Sequence, residues 1–156
     1  MPRPLLITTL LITTPLFAQT TTPTIHTAAD LQARETKALA AAKTSPTGAG
    51  NIPIDDFGTY TSHIIVRVKS GEAELHRDWA DQIIMQKGTI TVVTGGTIVG
   101  GHPVPNQPGE TRGASIQGGT EITLHAGDIV HIPANLPHWV KLAPGTTTSY
   151  LVFKEK

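Results

Sequence analysis

"GEAELHRDWADQIIMQKG", residues Gly71 to Gly88, sets Glu74, His76 and Asp81 between two glycines and then runs into aliphatic sequence. Read as a strand, where residues two apart share a face, Ala73–Arg77 turns Glu74 and His76 one way and Ala73, Leu75 and Arg77 the other. Over Ala80–Lys87, Asp81 shares its face with Ile83 and Met85, which marks that face as the interior. A histidine and acids facing inward among aliphatic side chains are costly unless they are paired or bind a metal. The stretch supplies half of such a site, and the other half has to come from elsewhere in the chain.

A second stretch supplies it. In "GDIVHIPANLPHWV", residues Gly127 to Val140, His138 shares its strand face with Val140 and, beyond the quoted segment, Leu142. Between and around the two stretches the period is two from Tyr60 onward. Strand-like runs over about Tyr60–Lys69, Thr89–Thr94, Glu121–His125, Ile129–Ile132 and Ser149–Lys154 are separated by Gly, Pro, Asn and Asp. Short strands without intervening helices indicate an antiparallel sandwich or barrel. "TGGT", Thr94 to Thr97, has the glycine pair of a tight hairpin. Gly100 to Gly113 reads as one long irregular connection, the kind of loop that often carries function. Ahead of the strands, Thr27 and Asp30 have the spacing of a helix capping box, and the alanine-rich run to about Lys43 is predicted to be a helix with a thin apolar stripe. Ser45 to Pro53, rich in Pro and Gly, reads as loop.

The totals narrow the function classes. A chain of 156 residues makes one ordinary domain with a proper core. Its formal charge is zero and it has no basic stripe, which argues against nucleic acid as a partner. The absence of cysteine excludes disulfides, thiolate metal sites and a cysteine nucleophile. No serine sits on a strand-to-helix elbow, so no Ser–His–Asp arrangement is suggested. The opening "MPRPLLITTLLITTPLFAQ" has Arg3, an apolar run from Leu5 to Phe17 and small-residue sequence ahead of Gln19, which is the pattern of a secretory signal. The expected organisation is a signal peptide over residues 1–18, a polar lead-in with helix and loop over 19–53, and a β domain over 54–156. The expected location is periplasmic or secreted, with no membrane attachment once the signal is removed.

The two stretches together resemble the paired motifs of the cupin superfamily. In the usual first motif two histidines one residue apart precede an acid, and a glycine follows. Gly88 comes after six intervening residues from Asp81, and four residues separate Asp81 from His76, so Asp81 falls on the acid, His76 on the second histidine and Glu74 on the first. In the second motif Pro133, Asn135 and His138 fall on the proline, glycine and histidine positions, with Asn135 tolerating the left-handed turn that the glycine serves. A register with Asp78 on the second histidine fits the downstream spacing worse. The resemblance covers roughly Ser70 to Phe153.

What it implies is an all-β fold, a cupin-type antiparallel β-barrel (double-stranded β-helix or jelly roll) with one N-terminal helix. It also implies a divalent metal, Mn, Fe, Ni, Co or Zn, held by His76, Asp81, His138 and Glu74, where Glu74 is either the fourth ligand or a catalytic base. A small-molecule substrate or ligand follows, worked on by an oxygenase, isomerase or lyase, or simply bound by a non-catalytic small-molecule or sugar-binding module. Where the metal has been lost, His76 and Asp81 would form a buried hydrogen-bonded pair. A homodimer is expected, with the strand near Tyr60–Lys69 as an exposed edge for pairing. His131 reads as a structural or interface histidine and His102 as a solvated loop residue. His26, His63 and His125 have no motif support, Arg112 reads as half of a surface ion pair, and Trp79 and Trp139 are expected on the outer face rather than in the cavity.

Overall fold

The computed structural model describes residues 22–156, so the signal read over residues 1–18 lies outside it. Helix α1 (Ala28–Thr44) starts where the Thr27 hydroxyl accepts from the Asp30 N–H and the Asp30 carboxylate accepts from the Thr27 N–H, the expected capping box. The strands that follow are β1 (Ala49–Asp56), β2 (Tyr60–Arg67), β3 (Ala73–His76), β4 (Ala80–Lys87), β5 (Thr89–Thr94), β6 (Thr97–Val99) and β7 (His102–Pro103). They continue with β8 (Glu110–Gly113), β9 (Ser115–Gln117), β10 (Thr120–His125), β11 (Ile129–Ile132), β12 (His138–Lys141) and β13 (Thr148–Glu155).

All strand pairings are antiparallel. One sheet runs β1-β2-β13-β4-β11, the other β10-β5-β12-β3-β8-β7, and β6 pairs with β9 apart from both. Aliphatic side chains from both sheets, among them Ile83, Met85, Ile90, Val92, Leu124, Ile132, Val140 and Val152, form the core. The parity read for β4 and β12 holds: Asp81, Ile83 and Met85 are buried together, as are His138 and Val140. Gly88 and Asn135 both have positive φ, +77° and +62°. A Cβ at Gly88 would stand 2.7 Å from the Thr147 carbonyl oxygen, so the motif glycine is held by both conformation and space.

Four local expectations are corrected. The segment from Ser45 to Pro53 is not all loop, because β1 starts at Ala49 and pairs with β2. Its Pro53 is tolerated because β1 is an edge strand with a bulge between Pro53 and Asp55. Strand β2 is therefore not an edge, since β1 and β13 flank it. The Gly95–Gly96 turn, with φ of +75° and +72°, does not close a hairpin. It passes the chain from β5 to β6, which pairs with β9. The Gly100–Gly113 connection ends in β8, which pairs with β3 and brings two charged side chains to the interior.

Helix α1 covers the outside of β1 and β2 through Ala38, Ala42 and Leu39, packed on Ile52, Val66 and Val68. The approach is so close that a Cβ on Gly50 would collide with the Ala38 carbonyl oxygen. Gly50→Ala is expected to push the helix off the sheet at a cost on the order of 2 kcal/mol, lowering the melting temperature by roughly 4–8 °C. Thermal unfolding followed by circular dichroism checks this, and an unchanged Tm would mean that the helix does not dock there.

Candidate metal centre

Strand register assembles the centre. In the six-stranded sheet His138 stands opposite Glu74 across β12 and β3, and Glu74 stands opposite Arg112 across β3 and β8. One step along, His76 stands opposite Glu110. From the facing sheet, Asp81 on β4 stands opposite Lys154 on β13. The turn before β12 is tied to β3 by the Asn135 N–H, which donates to the His76 carbonyl at 2.8 Å. That bond seats His138 beside His76, with ring centroids 5.1 Å apart.

Four polar atoms converge. His76 Nε2 lies 3.4 Å from Glu74 Oε2 and 3.3 Å from Asp81 Oδ2. His138 Nε2 lies 4.0 Å and 3.7 Å from the same two oxygens. Glu74, His76 and His138 each offer a ligand atom within 4.8 Å of the others'. Donors each about 2.1 Å from one ion stand roughly 3–4 Å apart, so the spacing fits a metal.

Each of the four groups has its second polar atom engaged elsewhere. Glu74 Oε1 takes the Arg112 guanidinium. Asp81 Oδ1 accepts from Lys154 Nζ at 2.5 Å. His76 Nδ1 faces Glu110 Oε2 at 2.5 Å, and His138 Nδ1 faces the Leu136 carbonyl at 3.1 Å. A carbonyl or carboxylate oxygen can only accept, so both Nδ1 atoms carry hydrogen, and each imidazole in its neutral form presents an Nε2 lone pair to the centre. Such outer partners are what fix the tautomer and orientation of metal-binding histidines. His76 Nε2 is buried without a hydrogen-bond partner. The orphaned nitrogen and the all-nitrogen-and-oxygen donor set fit a divalent ion such as Mn, Fe, Co, Ni or Zn.

The charges are strongly coupled. Burial pushes His76 down, but the Asp81 and Glu74 carboxylates outweigh it and hold the imidazole up at about 9. Burial raises Glu74, yet His76 and Arg112 outweigh it and keep the carboxyl well below its ordinary range. Asp81 is likewise lowered by His76 and Lys154 against burial. His138 is lowered by burial, against the pull of the same two carboxylates.

These groups line a cavity of about 470 Å³ between the sheets, with Arg67, Tyr150 and His63 on its wall. Trp79 also lines it, contrary to its expected outward place. Trp139 stays out of the cavity and donates from Nε1 to the Gly71 carbonyl at 2.7 Å. Arg112 pairs with Glu74 and, at 3.8 Å, with Glu110, and all three line the cavity rather than the surface. His131 and His102 are exposed. The sequence did not single out Glu110, Lys154, Arg67 or Tyr150 for the site. For Glu110 a signal existed, because it shares strand parity with Arg112 beside a run of inward acids.

No protein-family model and no curated protein sequence matches the chain. Solved structures do. Recombinant oxalate oxidase in complex with glycolate matches with a TM-score of 0.51 at 14% identity, over 72% of this chain and 53% of the other. The cupin domain of Cnp3 from Schizosaccharomyces pombe matches with a TM-score of 0.51 at 6% identity, over 74% and 66%. TT1209 from Thermus thermophilus matches with a TM-score of 0.51 at 15% identity, over 71% and 86%. The chain thus spans about half the length of the oxalate oxidase it resembles. At these identities the likeness speaks for architecture alone, and the architecture is that of a cupin.

Proposed function

We propose that the protein is an exported, metal-dependent enzyme acting on a small molecule, of oxygenase, isomerase or lyase type. The observation that carries this reading is the division of labour at the centre: four donor atoms converge while the opposite atom of each group is tied to another residue. A bound divalent ion would supply a Lewis acid that polarises substrate oxygens. Glu74, His76 and His138 would hold it, with Asp81 Oδ2, 3.3 Å from His76 Nε2, as the fourth donor. Glu74 acts here as ligand rather than base, because a carboxyl held this far below its ordinary range is a poor proton acceptor near neutral pH. Arg112 and Lys154 limit the repulsion between the two ligand carboxylates and fix their free oxygens on the centre. The cavity above the ligands is open enough to admit a small molecule, and its Ile65, Val140 and Val152 walls limit water around it. Export rests on the leader sequence.

A second reading, a non-catalytic binding module, is favoured by the same ion pairs, since Arg112, Lys154 and a protonated His76 compensate the carboxylates without a metal. Metal analysis of protein starting at Gln19, prepared without a metal-binding tag and reconstituted with Mn, Fe, Co, Ni and Zn in turn, tests the first. One ion per chain is expected, and near-zero occupancy with every metal sinks the metal reading. A ligand that stabilises the loaded protein and is recovered unchanged supports the binding module over the enzyme.

A further inference from the structure

We propose that the cavity takes an anionic small molecule, whose carboxylate or equivalent oxyanion is held by Arg67 and Tyr150. Arg67 is only 8% exposed, yet it lines the cavity. Its guanidinium lies against Gly71, where a Cβ would stand 2.6 Å from Nη1 and 2.8 Å from Nη2, so that glycine makes the room. Nε donates to the Tyr150 hydroxyl at 2.8 Å, which fixes the plane of the group. The nearest carboxylate oxygen, Glu74 Oε1, is 3.6 Å from Nη2 and is already taken by Arg112. Among the described residues no hydrogen bond uses an Nη hydrogen of Arg67. Tyr150 is 2% exposed, and its hydroxyl accepts from Arg67, while among the described residues no hydrogen bond uses its own hydrogen. The Nη hydrogens of Arg67 and the Tyr150 hydroxyl, side by side on the cavity wall, form a ready site for an oxyanion.

The charge balance points the same way. The cavity is lined by four acids, Glu72, Glu74, Asp81 and Glu110, against three cations, Arg67, Arg112 and Lys154. A divalent ion at the centre turns that single negative excess into one positive charge over, which favours an anion above a cation or a neutral sugar. This balance rests on the metal reading; the Arg67–Tyr150 donor pair does not.

Calorimetric titration with acetate, succinate and benzoate, each beside its amide, tests the proposal on metal-free and reconstituted protein. At least one acid is expected to bind both forms, with its amide weaker by about tenfold or more. Arg67→Met is expected to weaken that acid by at least about tenfold, since a bidentate contact is lost. Tyr150→Phe is expected to weaken it severalfold while leaving the metal content per chain at the wild-type level. Should Arg67→Met fail to fold, Tyr150→Phe and the acid–amide contrast still decide. Equal binding of acids and amides, no binding of any of the three acids, or affinity indifferent to both substitutions would overturn the proposal. Failure of the metal reading shows separately, as absent metal in the wild-type protein, and the acid–amide contrast in the metal-free protein then decides the anion site independently.

Discussion

His76→Ala and His138→Ala each lower divalent-metal affinity at least about a hundredfold, and His131→Ala leaves it unchanged. The two buried histidines each lose a donor that no neighbour can replace, because the other polar atoms in reach are already held by Arg112, Lys154, Glu110 and the Leu136 carbonyl. The imidazole of His131, by contrast, is exposed on β11, in the register position opposite Gln82 rather than Asp81. Competition against a chromophoric chelator gives the affinities, and circular dichroism shows that each variant is folded. Equal weakening by all three substitutions would place the donors elsewhere.

Metal affinity rises with pH about tenfold per unit between pH 6 and pH 8, so about a hundredfold over that range. His76 is held up at about 9 in the metal-free protein, and its proton has to leave before Nε2 can bind an ion. The stability of the metal-free fold moves the opposite way. A histidine raised from 6.5 to about 9 contributes its full stabilisation below pH 6.5 and loses it as pH climbs through 9. The lowered Glu74 and Asp81 contribute above their ordinary range and lose their contribution only in acid, so they do not mask the trend. Melting curves from pH 6 to pH 9 with and without metal should therefore diverge, the metal-free protein falling while the gain from metal grows. Parallel curves would mean that His76 carries no proton to displace.

The parts of the site legible in the sequence were those fixed by spacing within the two quoted stretches. Alternation beside Ile83 and Met85 turned Asp81 inward, and His76 shares its strand face with Glu74. Asn135 falls on the glycine position of the resembled motif as a residue that tolerates a left-handed turn, and its φ is +62°. Lys154, Arg67 and Tyr150 could not be read, because their places depend on which strands neighbour β13 and in what register. No local pattern encodes that. Strand β1 was hidden for another reason: Gly50 and Pro53 signal a loop, but one makes room for a helix and the other is harmless on an edge. The Gly–Gly turn was recognised locally and misassigned globally, since a turn's shape does not say which sheet receives the outgoing strand.

The position of β13 has a consequence for the order in which the molecule can assemble. It lies between β2 and β4, so the last strand of this sheet in chain order is a wedge driven between members that all precede it. Until it arrives, Asp81 has no lysine, Arg67 has no hydroxyl to set its plane, and the cavity has no floor on that side. Without β13 the fold stays open and lacks a finished pocket, and the pairings that complete it span long stretches of sequence, which makes closure slow. Ligand and ion can act on this fold only once β13 is in place; neither can template the earlier pairings.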